Sequence, residues 1–374
     1  MPNHTLKLLF NKKLDHIEVL YLNSAIRSIG VSMIGIFIPI YLIELNYSLI
    51  EVILYYLIVR AVHGLMMIPV SAYASKYGTK RCISTSTIIL ILFFVLLYQL
   101  QNVAIPLGIV AIARGLHNAF FWYGYHSAFA SYSDGKHRGE EVGFSRISET
   151  LFMVIGPVLG GLILTIANYN VLFIIVGFIL ALSLIPLFIT KDIHNPTKVN
   201  IKNIYKGRSI RSFLSYFGHG IESGVIITIW PIFVFFTIIG NYAVLGSISS
   251  LQFLFSLILT LIIAQLSDMH RKSILKIGGF VNALIWIIRT GIKTVVQVFV
   301  IDSIYGLSKR SLTISFDATS YDKAEQQNIA EHIVFREIVI QLGGVLLFSL
   351  LVIFPNYSLS FILASGASLL YILF

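Results

Sequence analysis

The chain alternates between long apolar stretches and short polar or turn-forming breaks. Twelve apolar runs follow one another: 19–44, 48–72, 83–101, 103–132, 140–166, 169–190, 211–239, 242–267, 273–292, 295–318, 329–353 and 357–374. A membrane-crossing helix takes about 20 mainly apolar residues. The runs are continuous, whereas a barrel strand would alternate over about ten residues. They therefore predict helices, numbered here as spans 1 to 12. The breaks fall at Asn46, Gln101-Asn102, Asn168-Tyr169-Asn170, Gly240-Asn241 and Pro355-Asn356, all turn-favouring residues. The last run has only 18 residues and is short for a span. The first is long, follows Lys7, Lys12 and Lys13 and lacks a small-residue cleavage pattern, so it is expected to stay as span 1 and not to be a signal peptide.

Composition supports this pattern. Of 374 residues, 57% are apolar and 12% charged, and the mean hydropathy is +0.85. Soluble domains carry about 25% charged residues, so a water-soluble enzyme, a disordered chain and a disulfide scaffold are all excluded. The single Cys82 closes no intrachain bridge and builds no thiolate metal site. A net charge of +10 would suggest nucleic acid in a soluble protein. Here it follows instead from sidedness. With the N-terminus inside, the inner segments hold 18 Lys and Arg residues and the outer loops two, Arg289 and Lys293. The expected protein is a multi-pass protein of the cytoplasmic membrane with both termini cytoplasmic. Its surroundings are lipid, with no nucleic-acid partner.

The longest polar stretch, 191–210, carries Asn195-Pro196 and five cations, with six spans on either side. The expected organisation is an N-terminal six-helix bundle (1–190), a cytoplasmic linker (191–210) and a C-terminal six-helix bundle (211–374), with substrate between them near the membrane midplane. At an offset of 188, Ser127, Ala130, Asp134, Glu149 and Gly156 fall on Ser315, Ala318, Asp322, Glu337 and Gly344, a faint trace of duplication.

Beyond the 18 inner and two outer cations, seven of the 27 are left within spans: Arg27, Arg60, Arg114, Arg146, Lys309, Arg310 and Arg336. Glu149, Glu222, Asp302 and Glu337 are the matching acids. A charge at a helix centre costs about 2.5–3.5 kcal/mol on insertion scales, so these groups should face a polar interior or one another. Spans 3, 6 and 12 carry none and span 9 only one at its end, which predicts that 3, 6, 9 and 12 face lipid while the others line a cavity. Arg60/His63, Arg114/His117, Arg146/Glu149 and His219/Glu222 are each three apart and share a helical face. Asp302, Tyr305 and Lys309 form one stripe. Arg27, Arg60, Arg114, His117 and Tyr305 are the expected substrate contacts, and Glu222, Asp302 and Glu149 the expected proton-coupling groups. Arg146/Glu149 and Arg336/Glu337 also read as structural ion pairs or gates, Lys309 and Arg310 as snorkelling cations, and any one histidine as a hydrogen-bonded structural group.

Three local motifs resemble those of the major facilitator superfamily. Ser71-Ala-Tyr-Ala-Ser75-Lys76-Tyr-Gly78-Thr-Lys80-Arg81 is similar to motif A, with Ser71 and Ser75 in place of its first glycine and its acid. The loop after span 8 retains the acid as Asp268, with Arg271 and Lys272. Arg114-Gly-Leu-His117-Asn118 is similar to motif B, and Gly156-Pro157-Val-Leu-Gly160-Gly161 to motif C, with Phe152 in place of its leading glycine. The resemblance implies an all-α integral membrane fold of twelve transmembrane helices in two pseudo-symmetric bundles. It also implies gating roles for Gly78, Asp268, Arg271, Gly156, Pro157, Gly160 and Gly161, a proton-coupling role for Arg114, and export in exchange for protons.

The expected function is therefore secondary active transport of a small organic solute by a monomer, proton-coupled and leaning to export by antiport, without cofactor or metal. Proton-coupled uptake of an organic anion is the main alternative. A membrane-embedded transferase and a non-transporting sensor or scramblase are rivals from other classes; short loops and charges at mid-depth in both halves argue against the transferase. The Gly-x-x-x-x-Gly-Lys phosphate cradle of ATP-driven pumps is absent.

Overall fold

The computed structural model describes residues 16–133, 138–190 and 199–374, with the side chains of 16, 138–140, 259 and 261–269 outside the description. All regular structure among the described residues is helical. Numbered by span, the helices are α1 (Ile17–Glu44), α2 (Leu49–Tyr77), α3 (Thr79–Gln99), α4 (Leu107–Tyr132), α5 (Glu141–Ile166), α6 (Tyr169–Phe188) and α7 (Ile210–Ile239). A helical rod, Tyr242–Arg289, bends at His270 (φ −135°, ψ 31°) into α8 (242–269) and α9 (271–289). Then come α10 (Val295–Glu325), α11 (Ile329–Ile353) and α12 (Tyr357–Leu373).

Among the described residues, seven helices, α1, α2, α3, α5, α6, α7 and α11, are long and apolar enough to cross a membrane; the described part of α8, Tyr242–Ile258, and α12 are apolar but shorter. The expectation of twelve apolar spans is thus met for seven by length and composition. The shortfall has a physical cause in α4 and α10. The first carries Arg114, His117, Asn118 and His126, the second Asp302, Lys309, Arg310 and Asp317, and these polar side chains dilute their hydropathy.

Three of the five breaks read from the sequence are helix starts, while Asn46 and Gln101-Asn102 lie in the turns before α2 and α4. Side-chain oxygens of Asn168, Asn241 and Asn356 accept the N–H groups of Val171, Val244 and Leu359, each satisfying a donor that a helix leaves open. Ser48 and Glu51 form a capping box, as do Thr294 and Gln297. Proline marks the irregularities. α1 is interrupted at 35–37 before Pro39, and α5 at 154–155 before Pro157. In α7, Pro231 lies in a short α-helical stretch between two π-helical stretches, Val225–Ile229 and Phe235–Ile239.

The first and second halves of the chain meet along two main seams, α2 against α11 and α5 against the α8–α9 rod, with α4 and α5 also touching α10. "Outer" and "inner" below name the ends as the Lys and Arg distribution orients them. At the outer end the Tyr242 hydroxyl donates to the Glu44 carboxylate, and the Tyr242 ring lies 6.0 Å from those of Phe37 and Tyr169. At the inner end, ion pairs join α5 to α10. Large apolar side chains remain exposed on the helices expected to face lipid: Ile88 and Leu92 on α3, Ile174 and Phe178 on α6, Ile277 and Phe280 on α9, and Ile362 on α12. Exposed apolar faces of this extent require an apolar solvent, and the protein is an integral multi-pass membrane protein.

Candidate functional site

Three arginines of the first half occupy half-buried positions within the helices. Arg27 of α1 lies 3.6 Å over the Phe121 ring, and its Nη2 is 3.1 Å from His117 Nε2. His117 Nδ1 is 2.8 Å from the Ser86 carbonyl oxygen, which can only accept. Nδ1 therefore carries the hydrogen, leaving the Nε2 lone pair to accept from Arg27. Arg60 of α2 reaches across to the second half, donating to Gln341 Oε1 of α11 and Ser223 Oγ of α7, both at 3.1 Å. Arg114 of α4 stands 5.3 Å over the Phe93 ring. Tyr56 lies within electrostatic range of both Arg60 and Arg114, and Arg27 within range of Arg114. Arg310 of α10 donates to the Ser256 hydroxyl of α8 at 3.0 Å.

None of these four guanidinium groups has a described carboxylate within ion-pair distance, whereas Arg146, Arg289, Lys309 and Arg336 each have one. An uncompensated charge removed from bulk water costs several kcal/mol. Glu149 and Glu337 lie within electrostatic range of Arg27 and Arg60, respectively, without pairing with them, while Arg114 has only the Tyr55 and Tyr56 hydroxyls as described acidic groups in range.

A second constellation bridges the halves nearer the inner end. Asp317 of α10 accepts from Arg146 of α5 at 2.7 Å through one oxygen and from Arg336 of α11 at 2.8 Å through the other. Arg146 also donates to Glu149, 2.7 Å, and Arg336 to Glu337, 2.7 Å. The Tyr125 hydroxyl donates to Glu149 at 3.2 Å. Two imidazoles of the first half approach the Glu337 carboxylate: His63 Nε2 is 3.4 Å from one oxygen and His126 Nε2 3.6 Å from the other. Of the expected proton-coupling groups, Glu149 belongs to this network.

Glu222 and Asp302 do not. Glu222 is fully buried and accepts from Lys309, from the Tyr305 hydroxyl at 2.5 Å and from Asn282 at 3.4 Å. Asp302 accepts from Arg289 at 2.6 Å and from the Trp230 indole at 3.1 Å. All these partners lie in the second half. Among the described residues, no hydrogen bond or ion pair joins Arg114 to either acid, so the structure does not bring Arg114, Glu222 and Asp302 into one vestibule. Asp302, Tyr305 and Lys309 share a stripe, as their spacing predicts, but that stripe faces the inside of its own half. Tyr305 is likewise buried there, against Glu222. Arg289, expected in an outer loop, is wholly buried, with Trp230, Trp286 and Tyr305 ring centroids 4.2–4.3 Å from its guanidinium carbon. Its long side chain folds back to the one acid at hand.

The gating candidates divide similarly. Gly78 turns the chain from α2 to α3 at φ +97°, a conformation open to glycine at little cost. Gly156 and Gly160 let α5 rest on α1, and Gly161 lets it rest on α8. A Cβ at Gly160 would stand 1.9 Å from the Met33 carbonyl oxygen, and one at Gly161 2.4 Å from that of Tyr242. Pro157 starts the outer segment of α5. Arg271 pairs with Asp322. Asp268 lies outside the described side chains. Sequence reasoning missed Asp317, which sits within a polar run of α10, and read His63 and His126 only as general proton-relay or structural candidates. The offset of 188 was a usable signal for Glu337, since Glu149 and Glu337 both enter the bridging network.

A model of the Major Facilitator Superfamily matches residues 20–211, about half of the chain. No curated protein matches by sequence. Among solved structures, the fold is similar to the human organic anion transporter TETRAN (TM-score 0.68, 11% identity, covering 95% of this chain and 97% of that one). It is also similar to a bacterial homologue of the iron transporter ferroportin in an outward-facing state (0.67, 14%, 96% and 98%). The E. coli fucose:proton symporter is similar too (0.66, 13%, 95% and 96%).

Proposed function

The chain belongs to the major facilitator superfamily, and from that premise we propose that it takes up a small organic anion together with a proton. The carrier works by alternating access of two six-helix bundles, 1–190 and 211–374, joined by the linker 191–210. It is a member of a transporter family and not an enzyme. The observation that carries the substrate class is the group of half-buried arginines, Arg27, Arg60 and Arg114, none of which has a described carboxylate within ion-pair distance. An anion between them supplies the missing charge through charge-assisted hydrogen bonds. His117 fixes the orientation of Arg27, and Phe121, Phe93 and Tyr56 provide ring faces for the organic part.

Two of the similar structures are described as an organic anion transporter and a proton symporter, and both descriptions accord with this reading. Export by antiport was the reading that the glycine–proline run of α5 favoured. In this structure those residues serve close packing against α1 and α8, which a carrier of either direction needs, so they no longer favour export. The monomeric state and the cytoplasmic membrane with inner termini remain part of the proposal.

The test is a thermal-shift screen of purified protein against small carboxylates, sulfonates and organic cations, followed by uptake of the responding compound into proteoliposomes under an inward proton gradient. Anions should stabilise the protein, and Arg114→Ala or Arg27→Ala should weaken binding by about tenfold or more, the loss expected for one charge-assisted hydrogen bond of about 1.5–3 kcal/mol. Stabilisation by cations alone, or unchanged anion affinity in both variants, would refute it.

A further inference from the structure

The contact of His63 and His126 with Glu337 is the one place among the described residues where two imidazoles of the first half meet a carboxylate of the second. All three side chains are buried. His126 Nδ1 is 2.6 Å from the Tyr321 hydroxyl. When that hydroxyl donates, the hydrogen of neutral His126 sits on Nε2, the nitrogen turned to Glu337. His63 differs. Its Nε2 lies 3.4 Å from the carboxylate yet makes no hydrogen bond. A lone pair there would face the carboxylate lone pairs, whereas a proton would turn the repulsion into a charge-assisted bond.

We infer that Glu337, His63 and His126 form a proton-binding site shared across the seam between the halves, with His63 Nε2 taking the proton. The proton comes from bulk water on one side and returns to bulk water on the other; no other bond is made or broken. Surrounding groups set the field from every helix packed there: Arg60 on α2, His117 on α4, Arg146 on α5, His219 on α7, Asp317 and Tyr321 on α10, and Arg336 and Gln341 on α11. Arg60 on α2 and Arg336 on α11 place positive charge beside the Glu337 carboxylate, whose remaining oxygen faces His63.

The proton ties α2 and α4 to α11. It therefore strengthens closure of the inner end, and its loss releases that end. This deepens the proton-coupled uptake reading, because a carrier closed inside when protonated collects its proton outside and delivers it inside. The proton is thereby assigned to the seam, away from Glu222 and Asp302.

The test needs no substrate. Spin labels are placed at the exposed inner-end positions Lys76→Cys and Gln326→Cys, with the buried Cys82 changed to Ser, in the full chain in nanodiscs. Distance distributions are recorded between about pH 5 and 8, the range in which histidine titrates. In the otherwise unaltered protein, acidification should enrich the shorter distance by up to about tenfold per pH unit, the limit for one linked proton. His63→Gln and Glu337→Gln should each abolish the response, and a monodisperse sample of either suffices. A distance ratio independent of pH, or a full response in a folded variant of either residue, overturns the inference. Failure of the anion screen sinks the substrate reading but leaves this measurement intact. Retention of gradient-driven uptake in Glu337→Gln sinks only the assignment of the proton.

Discussion

Asp302→Asn tests whether the Arg289–Asp302 pair is structural or catalyses coupling. The carboxylate accepts from Arg289 and Trp230, and the guanidinium is enclosed by three aromatic rings. The substitution keeps the volume and removes the charge, leaving Arg289, with no exposed surface, uncompensated. Breaking one side of a buried pair costs about 3–5 kcal/mol, roughly a hundred- to several-thousand-fold in the unfolding equilibrium. The ring contacts soften this, at about 0.5–2 kcal/mol each, but they are present before and after. Replacing both partners, Asp302→Leu with Arg289→Met, should recover most of the loss, because a well-packed apolar pair of similar size is often neutral. The assay is denaturant unfolding in detergent followed by tryptophan fluorescence; two of the chain's three tryptophans, Trp230 and Trp286, flank the pair. The surviving folded Asp302→Asn protein should retain gradient-driven uptake. Wild-type stability in the single variant, a double variant no better than the single, or normal folding with loss of driven uptake would each refute the structural assignment.

Two further substitutions test the packing. Gly160→Ala puts a methyl group against the Met33 carbonyl oxygen and forces α5 away from α1; it should lower stability by about 1–3 kcal/mol and slow transport, and an unchanged melting temperature would contradict the close contact. Ser75 lines an inner-end cavity of about 330 Å3 that also borders Asn328, Ile329 and Ala330, the start of α11. Ser75→Asp, which restores the motif A acid, should stabilise by about 0.3–1 kcal/mol through the helix dipole, and its gain in melting temperature should fade in high salt.

The sequence showed where helices begin and end because those positions are governed by local chemistry. Asn168, Asn241 and Asn356 cap helices in the structure, as their place between apolar runs implied. Side-chain spacing also located shared faces: Arg60 and His63 both look toward α11, and Arg146 and Glu149 bond to each other. It did not identify which neighbour a face meets. Glu222 and Asp302 occupy polar stripes like those of the bridging groups, yet their partners lie on α9, α10 and α12 or within α7 itself. Arg289 shows the same limit, since a chain position near a loop does not say where a seven-atom side chain comes to rest.

The two π-helical stretches flanking Pro231 give α7 a mechanical property that straight helices lack. Each holds a surplus residue in its ladder, and an α-helix advances about 100° per residue. When such a surplus migrates by exchanging carbonyl partners, the side chains it passes swing around the axis while the helix ends stay in place. Trp230, anchored to Asp302, pins the piece between the two stretches. The adjustable coordinate of α7 is thus local twist on either side of a fixed indole, independent of any tilt of the whole rod.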